Sequence, residues 1–168
     1  MLSSNGIIRN IDCLGRIVIP MEMRRKHRLS DGDPVEIIDI GNQLVLRKYS
    51  EIHPYEEKTR EILKKLSIIL RHPVILCDTA NVLLSVNMEK FRNCHISDEM
   101  YQAITDNKEF GKPIVVDGES TRALAIKTIC SGSKVLGALI VPDIGKEITP
   151  SQNDCLKLCA ETIGVISI

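Results

Sequence analysis

Residues 6–25 read GIIRNIDCLGRIVIPMEMRR, a stretch that sets arginines at intervals through a segment otherwise built of Ile, Leu and Val. Its alternation predicts a strand over residues 6–11, a tight loop over 12–15 and a second strand of β-branched residues over 16–19. Pro20 suits the first position of a short helix, with Glu22 in its first turn and Arg24, Arg25 and Lys26 in its last, as the helix dipole favours. Residues 29–34, LSDGDP, break that helix. Residues 35–40 and 43–48, joined by Gly41-Asn42, read as a β-hairpin with a two-residue turn.

The charge of this segment is its second signal. From Arg9 to Arg28 the cations Arg9, Arg16, Arg24, Arg25, Lys26 and Arg28 face only Asp12 and Glu22, a net +4 in a chain whose formal charge is zero. The first 50 residues carry +2 and the remaining 118 carry −2. Clustered guanidinium groups recognise phosphate, because each can hold two oxygens and a cluster releases condensed counterions from a duplex. The segment has no Phe or Trp and only Tyr49 at its far end, which disfavours single-strand binding by base stacking. No helix here has the length or the preceding partner of a helix-turn-helix reader, so sequence choice would depend partly on DNA shape and bending. Asp12 and Glu22 lie close to the cations and could tune or orient them, although capping and dipole roles are the simpler reading.

Fifty residues make a marginal core when alone. Interleaving strands between two copies would complete it, and a two-fold dimer would place two sets of arginines along one surface.

Beyond residues 51–54, a short polar linker, the pattern changes. From Tyr55 a helix is expected with Thr59, Ile62, Leu63, Leu66, Ile69 and Leu70 on one stripe. Strands over 73–78 and 82–86 follow, then a helix over 97–107 capped by Ser97, and strands over 113–116, 122–129 and 134–141. The final helix opens with Thr149-Pro150-Ser151-Gln152, a capping box with proline at the first position, and its expected stripe is Cys155, Leu158, Cys159, Thr162, Ile163 and Ile166. This order describes an α/β sandwich over residues 55–168, large enough for its own core.

Several function classes find little support. With 43% hydrophobic and 26% charged residues the chain has ordinary globular composition, and its longest apolar run, residues 135–141, is too short for a membrane span. No secretory signal is visible, which points to the cytoplasm. The six cysteines contain no CxxC and read as small buried hydrophobes, with Cys155 and Cys159 at i, i+4 as the one pair suited to a metal or thiol switch. Glycine-rich phosphate loops, GxSxG, HExxH and calcium-loop motifs are all missing, so no enzyme, cofactor or metal is expected. Cys77, Cys94 and Cys130 invite comparison with enzymes that reduce methionine sulfoxide through paired cysteines, but their spacing matches no recognisable motif. Tyr55, Phe91, Tyr101 and Phe110, with Arg92, Cys94 and His95, are the residues of the second half from which a ligand site would be drawn.

The run GIIRNIDCLGRIVIPMEMRR, with GDPVEI at 32–37 and LVLRKY at 44–49, resembles the AbrB-type swapped-hairpin transition-state regulators of spore-forming bacteria. An AbrB-type half followed by an α/β domain of this length resembles those members whose second half has the GAF fold. The resemblance implies an α+β fold class: a swapped-hairpin β-barrel dimer over residues 1–50 and a GAF-like sandwich over 55–168. It implies a transcriptional regulator of sporulation or stationary-phase genes, cytoplasmic and nucleoid-associated, that binds double-stranded DNA selectively. Self-association is expected as a dimer through residues 1–50 and a tetramer through 55–168, with a small-molecule effector as a further partner and no membrane role. Carried onto this chain, the family's DNA-contacting residues are Arg9, Arg16, Arg24 and Arg25. Asn10 stands where relatives commonly have a second basic residue, and can donate a hydrogen bond but no charge. Lys26, His27 and Arg28 add positive potential where the family more often has smaller or neutral residues, so Asn10, Lys26 and Arg28 complete the candidate set. The other reading is an antitoxin, since swapped-hairpin domains also serve there; such chains typically end in a toxin-wrapping tail, whereas residues 55–168 read as folded.

Overall fold

The computed structural model describes residues 6–52, 56–88, 91, 94–106, 113–116 and 119–167. The chain is mixed α/β with antiparallel strands, and it divides into two compact units, Met1–Lys48 and Tyr49–Ile168.

In the first unit, helix α1 (Met21–Lys26) is followed by strands β1 (Val35–Ile40) and β2 (Gln43–Lys48). These strands pair antiparallel from Val35↔Lys48 to Ile40↔Gln43, with Gly41 at φ +62 in the two-residue turn. Pro20 caps α1 from outside, at ψ 146, and is not its first helical residue. The strands expected over residues 6–11 and 16–19 do not form a ladder within one copy. Only the loop between them closes, with Asp12 N–H donating to the Arg16 carbonyl at 3.0 Å and Gly15 N–H to the Asp12 carbonyl at 2.9 Å. A strand needs a neighbour to satisfy its backbone groups, and none of the described residues of the same chain pairs with these in a ladder.

The second unit holds helix α2 (Glu56–Leu70), strands β3 (Val74–Asp78) and β4 (Val82–Val86), and helix α3 (Asp98–Thr105). Strands β5 (Pro113–Val116), β6 (Glu119–Ser131) and β7 (Lys134–Pro142) and helix α4 (Pro150–Ile166) follow. The five strands form one antiparallel sheet in the order β4-β3-β7-β6-β5. One apolar cluster joins α2 and α4 to Val74, Leu76, Leu139 and Val141; the other joins α3 to Ile75, Cys77, Ala138 and Ile140. Successive residues of a strand face opposite sides, so a sheet covered on both faces reads as an unbroken apolar run. Ser97 caps α3 by accepting from Met100 N–H, and Thr149 and Gln152 form the capping box of α4. The Gln152 amide also donates to the Ile69 carbonyl at 2.9 Å, tying the start of α4 to the end of α2.

Four expectations need correction. Residues 51–54 are not all linker: Ile52 is buried in the second unit's core and Glu51 pairs with Lys134, while His53 and Pro54 lie outside the described residues. On α2 the inward face is Thr59, Leu63, Leu66, Ser67 and Leu70, and Ile69 faces water. On α4 it is Leu156, Ala160, Ile163 and Gly164, leaving Leu158 63% exposed and Cys155 and Cys159 half-buried. Small residues at 160 and 164 let α4 approach the sheet: a Cβ on Gly164 would lie 2.2 Å from the Cys130 carbonyl oxygen. The cysteines are not uniformly buried either, because Cys13 and Cys130 are exposed.

Gly137 on β7 marks another close approach, since a Cβ there would sit 2.0 Å from the Cys77 carbonyl oxygen. Gly137→Ala is therefore expected to lower the unfolding free energy by about 2 kcal/mol, read as a reduced urea midpoint of the full chain.

Candidate nucleic-acid interface

The first unit is arranged around a tight turn and a short helix. Asp12 organises the turn with its own side chain: Oδ1 accepts the Leu14 N–H at 3.0 Å and the Arg16 N–H at 2.8 Å. Its Oδ2 receives Arg16 Nε at 2.7 Å. The Arg16 backbone N–H and then its guanidinium hold the Asp12 carboxyl below the usual aspartate range. Asp12 is thus both a turn-former and a guanidinium partner, beyond the capping role that its position alone suggests.

Helix α1 ends in a left-handed turn. Leu29 N–H donates to the Arg24 carbonyl at 2.8 Å and Arg28 N–H to the Arg25 carbonyl at 3.1 Å, the two bonds of a Schellman cap. The residue in the left-handed position is Arg28, at φ 50, where glycine is the usual occupant. A charged residue is held there against its backbone preference.

The cations of this unit fall into two groups. Arg47 Nε meets its cross-strand neighbour Glu36 at 2.6 Å, and Lys48 Nζ bridges Asp33 at 2.9 Å and the Arg28 carbonyl at 3.0 Å. These two support the hairpin and the loop after α1. The other group is carried by the turn and the helix. Arg9 and Asn10 are exposed, and among the described residues Arg9 donates only to the neighbouring Ile8 carbonyl at 3.1 Å. Arg16 is exposed beside Asp12, and Arg24 Nη1 meets Asp31 Oδ1 at 3.0 Å. Arg25 and Lys26, in the last turn of α1, make no ion pair among the described residues. The Asp31 contact is invisible to local sequence patterns, because it spans seven residues across a helix end. The Asp12 contact has a signal, an acid four residues before an arginine around a glycine turn.

No residue of this unit is buried among those described. Ile8, Ile11, Leu14 and Val18 are each at least 70% exposed, and Ile37 and Leu44 of the hairpin are 66% and 70% exposed. Apolar side chains therefore surround the cationic turn without a core beneath them.

Of the residues considered for a ligand site in the second unit, Phe91 and Cys94 share the apolar cluster that joins α3 to the sheet, and Tyr101 packs against it. Phe91 is in the core, Cys94 is buried, and exposed His95 forms an isolated bridge to Asn81. Tyr55, Arg92 and Phe110 lie outside the described residues. Burial raises the Cys77 thiol far above its usual range, which disfavours a reactive thiolate there. Among the described residues no cluster of His, Cys, Asp or Glu suits a metal ion, and no helix is long and apolar enough to cross a membrane.

Asp12 is expected to titrate below 3.8, with Arg16→Ala moving its midpoint back toward that value, as followed by side-chain carboxyl NMR. A lowered folded value means that the stabilisation is complete above the unfolded aspartate value and is lost as pH falls through the folded one.

Residues 13–52 match the family model described as antidote-toxin recognition MazE, bacterial antitoxin. The chain is 42% identical over 78 residues to Stage V sporulation protein T of Bacillus subtilis (strain 168), covering 46% of this chain and 44% of that protein. That alignment is longer than the first unit and so runs into the second. The chain is also 42% identical over 48 residues to Transition state regulatory protein AbrB of the same organism, covering 29% of this chain and 50% of that protein. It thus spans about half, or less, of the length of these relatives. The first unit of this chain is a MazE/AbrB-type domain, similar in sequence to part of a protein named for sporulation and to part of one named as a transition-state regulatory protein.

Proposed function

We propose that the chain is a homo-oligomeric transcriptional regulator that binds double-stranded DNA through its first unit. The observation that carries this reading is a cationic turn and helix end, Arg9, Arg16, Arg24, Arg25, Lys26 and Arg28 with Asn10, set on a unit whose apolar side chains have no core. The similarity to a protein named as a transition-state regulator supports it, and with the relative named for sporulation it suggests sporulation or stationary-phase genes as the setting. A regulator of this kind works without enzymatic activity, in the cytoplasm and on the nucleoid. The second copy supplies the missing core: residues 6–11 and 16–19 pair with its strands and the exposed isoleucines are covered, in a swapped-hairpin dimer. Residues 1–50 are the DNA-binding and dimerisation domain.

Residues 55–168 form a GAF-like regulatory domain in this reading, supported by a five-stranded antiparallel sheet with helices on both faces. It serves effector sensing, tetramer assembly or both. Ile68, Ile69, Leu158 and Val165, each more than half exposed on α2 and α4, support the assembly role, which would raise avidity by joining two DNA-binding dimers. The MazE description of the matching family favours an antitoxin as the second reading. The folded second unit weighs against it, since a toxin-wrapping tail has no core of its own.

Arg16→Ala and Arg24→Ala are each expected to weaken binding to a mixed-sequence duplex about tenfold without loss of fold. Each should also flatten the dependence of log K on log salt by about one unit per lost phosphate contact. Unchanged, salt-insensitive anisotropy curves in both variants would remove the DNA-binding assignment. Ile17→Asp tests the dimer: a side chain facing water in one copy tolerates aspartate, whereas one buried between copies does not. Sedimentation of the full chain is expected to show Ile17→Asp as a smaller species, with a first unit that unfolds earlier in urea.

A further inference from the structure

The two oxygens of Asp12 are used differently. Oδ1 accepts the backbone N–H groups of Leu14 and Arg16 and so closes the turn. Oδ2 takes Arg16 at Nε, 2.7 Å away. A guanidinium has five N–H donors, one on Nε beside the stem and four on Nη1 and Nη2 at the end. Asp12 occupies the stem donor and leaves the end of the fork open, on a side chain that is 72% exposed. Arg24 provides the contrast. Asp31 holds it by Nη1, at the end that a ligand would take, and Asp31 itself is 97% exposed. A contact of that kind competes with a ligand and is weak in water.

We propose that Asp12 is the positioning residue of Arg16, fixing the guanidinium so that Nη1 and Nη2 meet a pair of acceptors on duplex DNA. Those acceptors are two phosphate oxygens or the O6 and N7 of a guanine, which present the same chemistry to an arginine fork. The inference rests on the reading of Arg16 as a DNA contact. Prior orientation matters because a long, exposed side chain otherwise loses rotamer freedom when it binds. Asp12 anchors the stem to a turn that its own Oδ1 has already closed, so part of this ordering is made in the free protein.

The sign of a charge-removing substitution separates positioning from simple electrostatics. Asp12→Asn deletes a negative charge next to a polyanion site, and long-range attraction alone makes the variant bind DNA more tightly. Loss of positioning makes it bind more weakly. The amide oxygen still accepts the two backbone N–H groups, so the turn is retained. The experiment is a double-mutant cycle on the full chain with Asp12→Asn, Arg16→Ala and both together. Affinity is read by anisotropy at about 150 mM salt on two labelled duplexes, one selected from a random pool by the wild-type protein and one unselected of equal length. Asp12→Asn is expected to weaken binding about fivefold in the wild-type background and not at all with Arg16→Ala present. Equal weakening on both duplexes identifies phosphate as the partner, and weakening confined to the selected duplex identifies guanine.

Unchanged or tighter binding by Asp12→Asn, with Arg16→Ala impaired, overturns the positioning role alone. Equal losses from Asp12→Asn with and without Arg16 also overturn it, since Asp12 then acts only through the turn. Unchanged binding by Arg16→Ala overturns the DNA contact of Arg16, and the positioning role with it. Proton exchange at Arg16 Nε reads the pair directly without DNA: it is expected to be slow in the wild type and fast in Asp12→Asn, and fast exchange in the wild type overturns the proposal. Asp12→Ser, whose hydroxyl can accept the same N–H groups without charge, serves as the second variant should the asparagine variant fold poorly.

Discussion

Apolar surface that one copy cannot bury is the constraint on which the first unit depends. Its large aliphatic side chains, from Ile7 and Ile8 through Ile17 and Val18 to Leu44 and Leu46, face water, and no residue among those described is buried beneath them. Hydrophobic burial is the main favourable term in folding, so such a segment gains its stability from whatever covers that surface. The same shortage accounts for the backbone. Residues 6–11 and 16–19 have the composition of strands and no ladder, whereas β1 and β2 pair because a two-residue turn brings them together within one chain. In the proposed dimer a second copy meets both needs at once, and the cations on the turn and on α1 become a surface supported by a core.

The ionic contacts of this unit show that cations close in sequence can have separate tasks. Arg47 and Lys48 are held by Glu36 and Asp33 and belong to the hairpin and the loop after α1. Arg16 and Arg24 also have acidic neighbours, but the guanidinium atom engaged differs: Nε in one and Nη1 in the other. That difference decides which donors remain for a ligand. Arg28 retains its charge in a left-handed position that glycine would occupy with less strain. Positive potential thus extends past the end of α1 on a backbone that does not favour it.

In the second unit the decisive feature is close approach. The sheet is covered by α2 and α4 on one face and by α3 on the other, so β3 is buried along its whole length. Gly137 lets β7 lie against β3, and Gly164 with Ala160 lets α4 settle on β6. These small residues determine which way α4 faces. Leu158, a good core residue by type, is left on the outside.

Every element whose cause is local could be read from the order of residues. The β1–β2 hairpin, the Ser97 cap and the Thr149 capping box are set by residues within a few positions of one another, the helical period places α2, α3 and α4, and short apolar or alternating runs bounded by turn residues place the strands of the sheet. The cationic run was equally legible, because charge and spacing can be counted along the chain. The remaining features arise from long-range packing. It set the inward faces of α2 and α4, because a glycine or a serine can sit against a sheet where a larger apolar residue does not fit. It drew Ile52 into a core, joined Arg24 to Asp31 across a helix end, and left the strands of residues 6–11 and 16–19 without partners. The physical reason is common to all of these: caps, turns and periods are local properties, whereas burial, ion pairing and strand pairing depend on which distant groups arrive at the same place.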